Sequence, residues 1–299
     1  MTGRAFLPLA VSTVLTGALL LGSASAAWAV SPLAVAETAG EVALAPHKAL
    51  YDVELIGSKT GSQIINIRGK MYFEWKPSCE GWITNHRFTL AYDYADNQPL
   101  TISSDFTTFE TFDGKSLDFS SRRKKDGETY EELRGKAFLD KEGGSGTARY
   151  SIPDGLDFAL PAGIAFPTTH TTSLVKKARE GAKFYKVTTF DGSDDAGPVE
   201  INSFIGAKFA KGEAPSLRKD TSFKPVSTSP IDTSLLGPGW KVRMAFFPTL
   251  TSESSSDYEL TMTFHENGVI SDMIIEYGDF TVRQKLVALE KVKADSCKN

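Results

Sequence analysis

The chain has 299 residues, with 33 Lys and Arg against 37 Asp and Glu, a formal net charge of −4 and two cysteines. A pI near 5.7 argues against a protein that coats nucleic acid, because such proteins depend on clustered basic residues. A hydrophobic fraction of 41% is too high for a disordered chain. Two cysteines are too few for a four-thiolate zinc site or an iron–sulfur cluster.

Residues 1–29 have the features of a secretory signal peptide. Arg4 is the only charged residue before Glu37, and it precedes an apolar run that is interrupted by a proline and several hydroxyl residues. Such a run is a poor transmembrane span. It ends in two small-x-small sites for signal peptidase, whose last residues are Ala26 and Ala29. We therefore favour a cleaved signal over an uncleaved anchor, and we expect no transmembrane span in the mature chain.

From residue 46 onwards, apolar and polar residues alternate with the period of a β-strand. An Ala-rich, flexible lead-in over residues 30–45 precedes this pattern, and an N-terminal β half is predicted over residues 46–140. The apolar faces of its two clearest runs are Ile65, Ile67, Gly69, Met71, Phe73 and Trp75, then Trp82, Thr84, His86, Phe88, Leu90, Tyr92 and Tyr94. Each run predicts an antiparallel strand with one face in solvent.

Glycine-rich residues 141–147 predict a flexible linker between this half and a C-terminal β half over residues 148–299. The one convincing helix is predicted over about 168–180. Thr168 is its expected N-cap and Gly181 its expected end.

The last part of the chain contains a loop and a hairpin. Residues 211–239 are rich in Ser, Pro and Lys and predict a long surface loop. The Glu-Asn-Gly of residues 266–268 separates two alternating runs, and Asn-Gly is a strong hairpin signal because both residues tolerate positive φ. Asp-Gly pairs at residues 113–114 and 126–127 predict two further turns.

The alternating segments number about twelve to fourteen, which is more than an open twisted sheet usually holds without curling. The sequence therefore predicts a mostly β fold, a curled antiparallel sheet or broken β-barrel with one or two short helices. Curling also limits the exposed edges of the sheet.

The predicted export bears on the oxidation state of the two cysteines. In an oxidising compartment, an even pair indicates one disulfide, here between Cys79 and Cys297. The alternative is two independent thiols. We favour the disulfide because the chain has no C-x-x-C pair and no neighbouring histidine that would activate a thiolate. Such a bond would hold both halves in a single unit.

Four histidines are the first candidates for metal or hydrolytic chemistry. His86 lies on the apolar face of its strand, which favours a buried, hydrogen-bonded core residue, and His170 lies on the inner face of the helix. His47 falls at a strand entrance and His265 on the solvent face of a hairpin. None of them has the spacing of a zinc site, so we predict no metal and no cofactor.

Other candidates for chemistry also fail. Residues 144–146 (Gly-Ser-Gly) lack the G-x-S-x-G spacing of a nucleophile elbow, although a triad from distant residues remains open. Residues 191–202 resemble a calcium loop but have Ala196 at the sixth position and Asn202 at the twelfth, so we favour an acidic hairpin tip. The basic run 122–125 favours a solvated strand end over a site for anionic lipid or polysaccharide. No catalytic residue is predicted.

Several short motifs follow one another in the mature chain. They are Ala45-Pro46-His47-x-Ala49-x-Tyr51, Cys79-Glu80-Gly81-Trp82-x-x-Asn85-x-Arg87, Asp113-Gly114-Lys115-Ser116, Phe166-Pro167-Thr168-Thr169-His170, Asp191-Gly192-Ser193, Glu266-Asn267-Gly268, Tyr277-Gly278-Asp279-Phe280 and a cysteine near the C-terminus. Over roughly residues 45–297, this series resembles the EipB family of periplasmic cell-envelope integrity proteins from alphaproteobacteria.

The resemblance implies a β-spiral of about fourteen bent strands, with a helix near one end that forms a cup. It also implies a periplasmic location, a disulfide between the two matching cysteines, Cys79 and Cys297, and no established enzyme activity. The chain departs from the family in residues 211–239 and in the lysine-rich strand 116–125.

We therefore expect a non-enzymatic periplasmic protein that supports envelope integrity through contacts with envelope proteins or lipid. One alternative is a carrier that binds an acyl chain or a lipoprotein in the β cup, because curled sheets commonly enclose apolar ligands. Another is a cell-wall or glycan hydrolase, which would need convergent carboxylates in a cleft.

The first prediction concerns processing. Cleavage after Ala26 or Ala29 gives a mature chain that starts at Ala27 or Val30. N-terminal sequencing of the native protein should find one of these two residues. An intact Met1 on membrane-embedded material would contradict the prediction of secretion.

Overall fold

The computed structural model describes residues 42–218, 230–250 and 255–294, together with residue 297. Residues 39–299 form one compact unit. The predicted signal peptide, its cleavage sites at Ala26 and Ala29, and most of the lead-in lie outside the described residues. None of the described helices is long and apolar enough to cross a membrane.

The described residues contain fourteen strands, one α-helix and one short 3-10 helix, which confirms the predicted mostly β class. The strands are β1 (His47–Ser58), β2 (Ile64–Pro77), β3 (Gly81–Tyr94), β4 (Leu100–Thr111), β5 (Ser116–Lys125), β6 (Glu128–Leu139), β7 (Gly146–Ile152), β8 (Asp157–Leu160), β9 (Phe184–Thr189), β10 (Val199–Phe209), β11 (Gly239–Pro248), β12 (Tyr258–His265), β13 (Ile270–Glu276) and β14 (Phe280–Lys291). The helix α1 spans Pro167–Arg179, and the 3-10 helix spans Thr233–Leu235.

All fourteen strands belong to one antiparallel sheet that consists of two meanders. Within β1 to β8, and again within β9 to β14, strands that are consecutive in the chain pair with each other. The two meanders join where β14 pairs with β1, so β8 and β9 are left as the two edges. The sheet is therefore a broken barrel, as predicted, and α1 lies between its two edge strands in the chain.

One residue of the first alternating run lies on the opposite face from the one predicted. Ile65 is 62% exposed, whereas Ile64 and Ile67 are buried. The register of β2 with β3 shifts between Ile64 and Asn66. Such a bulge exchanges the inner and outer faces of the strand on one side of it.

Residues 141–147 belong to a hairpin and are not a joint between two halves. Strands β6 and β7 pair on either side of the turn, with Leu139 opposite Gly146. The amide of Gly144 donates to the carbonyl of Lys141 at 2.7 Å and tightens the turn. Because the strand ladder continues across this turn, the sheet runs through the predicted linker without interruption.

Helix α1 begins one residue before its predicted start, and Thr168 is not its N-cap. Phe166 occupies the N-cap without a side-chain hydrogen bond, and Pro167 follows within the first turn. Proline is well suited to this place because its missing N–H would have no partner within the helix. Gly181 follows the helix as predicted, with φ +80, and its amide donates to the carbonyl of Ala178.

Residues 215–217, within the predicted loop 211–239, pack against the outer face of the sheet. The amide of Leu217 donates to Asp272 at 2.9 Å, and Thr263 donates to the carbonyl of Pro215 at 2.8 Å. Beneath this segment, the buried Arg283 donates two hydrogen bonds to the carboxylate of Asp272. The segment therefore shields this ion pair from solvent.

A disulfide joins Cys79, in the turn between β2 and β3, to Cys297, which follows β14. The two Cα atoms are 5.5 Å apart, although the residues are separated by 218 positions in the chain. The chain brings them together because His47 at the start of β1 pairs with both Trp75 and Lys291. The bond therefore fastens the end of the chain to the strands that join the two meanders.

We predict that Cys79→Ser lowers the free energy of unfolding by about 2–4 kcal/mol, because the bond restricts a long loop in the unfolded chain. The measurement is denaturant unfolding without reductant. Cys297→Ser and the double variant serve as controls and should lose the same amount, because either single change already removes the bond. A single variant as stable as the parent would contradict the prediction.

Candidate functional site

The inner face of the sheet surrounds an apolar cavity that has two lobes. The helix-side lobe, of about 370 Å³, lies between α1, strands β2 and β10 to β13, and the loop that follows β9. The strand-side lobe, of about 280 Å³, lies between β1 to β3 and β12 to β14. Tyr258, Leu260 and Met273 line both lobes. The two lobes therefore share a wall in the middle of the barrel.

Strand alternation explains why these side chains face the interior. Thr84 on β3 lines the helix-side lobe, and the inner residues that follow it on the same strand line the strand-side lobe. These are His86, Phe88, Leu90 and Tyr92. The apolar face predicted for this run is therefore a cavity wall, and most of it remains only partly buried.

Every methionine of the sequence except Met1 lines the cavity. Met244, Met262 and Met273 contact the helix-side lobe, and Met71 and Met273 contact the strand-side lobe. Methionine is unbranched and polarizable, so a wall of this kind adapts to an apolar ligand of variable shape.

A carboxylate on β4 fixes helix α1 at the cavity. Glu110 on β4 is buried and accepts hydrogen bonds from the amides of Thr168 and Thr169, at 2.6 and 2.8 Å. The hydroxyl of Thr169 donates a third bond to Glu110 at 2.6 Å. Burial raises the pKa of Glu110, and these hydrogen bonds oppose the rise. A negative charge at this place also complements the positive end of the helix dipole.

Two of the four histidines are structural. His47 is buried at the start of β1, and its Nδ1 lies 2.7 Å from the carbonyl of Ala45. The prediction of a solvent-facing His265 was wrong, because the chain before β11 covers this hairpin. His265 is fully buried between the carbonyl of Gly237, at 2.6 Å, and the hydroxyl of Ser271, at 2.9 Å.

The other two histidines line the cavity and make no side-chain hydrogen bond to the described residues. His170 on α1 faces the helix-side lobe, and His86 on β3 faces the strand-side lobe. The expected hydrogen-bonded state of His86 was therefore wrong, because its neighbours are apolar. Burial lowers the pKa of each ring to about 4, so both histidines are neutral at physiological pH.

The loop between β9 and β10 contributes the acidic part of the cavity. Asp191, Ser193 and Asp194 line the helix-side lobe, together with Asp257 just before β12. Burial raises the pKa of Asp194, and the nearby Asp191 adds to the rise. The sequence indicated an acidic hairpin tip here, but a turn signal carries no information about which cavity the turn borders.

The remaining sequence candidates do not form a site. Ser145 lies in the turn between β6 and β7 and donates to Asp140 at 3.1 Å. In the basic run 122–125, Arg122 and Arg123 are paired with Glu132 and Glu131 at the end of β5. No three acidic, histidine or cysteine side chains in the described part of the chain are placed to share a metal ion.

Comparison with known proteins shows where this architecture recurs. Residues 38–293 match the family model described as EipB-like. The chain is 33% identical over 263 residues to the cell envelope integrity protein EipB of Brucella abortus (strain 2308). The aligned region covers 85% of this chain and 87% of that protein. A crystal structure of a beta-barrel-like protein of a domain of unknown function from Brucella abortus superimposes with a TM-score of 0.73 and 30% identity. That comparison covers 84% of this chain and all of the Brucella chain.

We predict that Glu110→Gln destabilises the protein by about 1–3 kcal/mol. If the Gln oxygen accepts the two bonds from Thr169, its NH2 group faces the amide of Thr168, and two donors cannot form a hydrogen bond. Glu128→Gln, at an exposed position on β6, is the control and should change little. Thermal and denaturant unfolding provide the comparison.

The comparison of the parent with Glu110→Gln also leads to a prediction about pH. The pKa of Glu110 is higher in the folded state than its ordinary value of 4.5, so the folded protein binds this proton more tightly than the unfolded chain does. The free energy of unfolding contributed by Glu110 therefore falls as the pH rises from 4.5 through the folded pKa. The stability advantage of the parent over Glu110→Gln should shrink over this interval, and an advantage that grows would contradict the assignment.

Proposed function

This chain belongs to the EipB-like family, and we propose that it supports cell-envelope integrity from the periplasm by holding a long aliphatic chain inside the broken barrel. Its Brucella relative is named for envelope integrity. The observation that carries the proposal is the apolar cavity, with Leu260 and Met273 in the wall that both lobes share. A long, thin aliphatic chain is the kind of ligand that fits these apolar lobes.

The break in the barrel supports a role in which the ligand enters and leaves. Strands β8 and β9 are not hydrogen-bonded to each other. In a closed barrel, access to the interior through the wall requires the rupture of strand hydrogen bonds. Here no strand hydrogen bonds close the barrel between β8 and β9. Entry at this place requires only the displacement of α1 and of the loop after β9, which Glu110, Arg123 and Tyr150 hold by hydrogen bonds. This property favours a carrier over a permanent lipid-bound scaffold.

The state of the interior histidines supports a binding role in place of catalysis. A histidine that acts as a general base is normally hydrogen-bonded to a nucleophile and oriented by a third group. Within the described residues, His86 and His170 have neither partner. The walls around them supply apolar contact area, which is what chain binding requires.

The disulfide supports the periplasmic location. Structural disulfides form and persist in oxidising compartments, and the bond from Cys79 to Cys297 is of this structural kind because it fastens the end of the chain. Together with the predicted signal peptide, it favours the periplasm as the place where the chain folds and functions.

We predict that the mature protein binds the neutral apolar dye N-phenyl-1-naphthylamine and that a fatty alcohol displaces it. Leu260→Trp should weaken dye binding at least about tenfold, because an indole at this position fills the region between the lobes. Phe204→Trp is the matched control, because Phe204 is 54% exposed on the outer face. The readout is the increase in dye fluorescence.

Circular dichroism and melting curves show whether Leu260→Trp still folds. If it does not, Met273→Trp tests the same wall from β13. Equal dye binding by the parent and by a folded variant of the wall would contradict the proposal.

A further inference from the structure

The lining of the helix-side lobe carries charge of one sign only. Asp191, Asp194 and Asp257 belong to it, and no Lys or Arg does within the described residues. Burial raises the pKa of Tyr258, which lines the same lobe, and the charges of the three aspartates add to the rise. One end of an otherwise apolar cavity is therefore negatively charged.

These carboxylates are not neutralised by the protein. None of the three forms an ion pair with a described residue. Asp191 accepts a bond from the amide of Ser193, and Asp194 from the amide of Ala196, so each retains an oxygen with no hydrogen bond to the described chain. Arg123 is the nearby cation, but its guanidinium is already engaged by Glu131, at 2.7 Å, and by the carbonyl of Ser193, at 2.8 Å.

A second observation in the same lobe indicates a polar ligand group. His170 is 9% exposed and lines the lobe. Its Nε2 atom is buried without a hydrogen-bond partner, and in the neutral ring one of the two nitrogens is a hydrogen-bond acceptor. A buried nitrogen without a partner costs free energy, so the site favours a ligand that carries hydrogen-bonding groups next to its apolar chain. The neutral ring of His170 also leaves the negative charge of the aspartates uncompensated.

An organic cation suits this end of the lobe better than a metal ion does. No three acidic or histidine side chains of the described chain are close enough to share a metal ion. An ammonium group at the end of a chain needs no fixed coordination shell, and its N–H groups can donate to separate carboxylates and to an imidazole nitrogen.

We propose that the helix-side lobe binds aliphatic chains that end in a protonated amine and discriminates against chains that end in a carboxylate or a phosphate. The chain lies along the wall of Leu260, Met262 and Met273, and the ammonium lies at Asp191 and Asp194. This assignment rests on the proposed function, since it names the head group of the chain that the cavity holds.

Isothermal titration calorimetry with three probes of one chain length tests the proposal. The probes are dodecylamine, dodecanol and dodecanoate, at neutral pH, low ionic strength and concentrations below micelle formation. We expect dodecylamine to bind at least about tenfold more tightly than dodecanoate, with dodecanol between them, because opposite charges attract strongly where water is partly excluded. The difference should shrink at about 1 M salt, where exposed charges are screened.

The double variant Asp191→Asn/Asp194→Asn removes the charge and retains the oxygens that accept the two loop amides. Its preference for the amine should fall to within about threefold, whereas Asp195→Asn should keep the full preference. Asp195 is the matched control, because it is an exposed neighbour in the same loop that does not line the lobe. Melting curves establish that all variants are folded.

Three other outcomes would each overturn a different part of the proposal. If all three probes bind the parent within about twofold of one another, the cavity holds chains but the assignment of the head group is overturned. If the amine preference survives in the double variant, Asp191 and Asp194 are not its cause, and the proposed site is wrong. If no probe binds, the proposed function fails, and the head-group assignment fails with it.

Discussion

The pairing of β1 with β14 is the constraint on which the rest of the structure depends. It joins the beginning and the end of the folded chain, so two meanders become one sheet of fourteen strands. The break in the barrel must then fall in the middle of the chain, between β8 and β9, where α1 lies. The disulfide from Cys79 to Cys297 reinforces the same junction. The disulfide and the hydrogen bonds between β1 and β14 thus hold one side of the barrel together. The three hydrogen bonds to Glu110 hold α1 at the other side.

A cavity follows from the number of strands. About eight strands make a barrel that side chains alone can fill, and wider barrels enclose free volume. Here the inner faces supply Met, Leu, Phe and Tyr, which narrow the interior without filling it. Gly268 shows how closely the remaining space is fitted. A Cβ atom at this residue would come within 2.5 Å of the ring of Trp75, so the glycine of the Asn-Gly turn serves the packing of the cavity wall as well as the turn.

Sequence patterns predict the parts of this fold that depend on local chemistry. Alternation predicts the strands, the Asn-Gly and Asp-Gly pairs predict the hairpins, and two cysteines in a chain with a predicted signal peptide predict the disulfide. The predictions for Ile65 and for residues 141–147 were wrong because strand register and strand pairing decide them, and neither can be read from one segment. The N-cap of α1 was missed for a similar reason, because its capping carboxylate comes from Glu110, far away in the sequence. His170 and Asp194 meet in one cavity only once the sheet has curled.

The central claim is that the interior holds an aliphatic chain, and the methionines offer a direct measurement. In the mature protein labelled with ¹³C at the methionine methyl groups, NMR observes Met71, Met244, Met262 and Met273, all of which line the cavity. Titration with an alkyl ligand should shift these four resonances and produce nuclear Overhauser effects between their methyl groups and the chain. Four resonances that stay unchanged at saturating ligand would show that the chain does not enter the barrel.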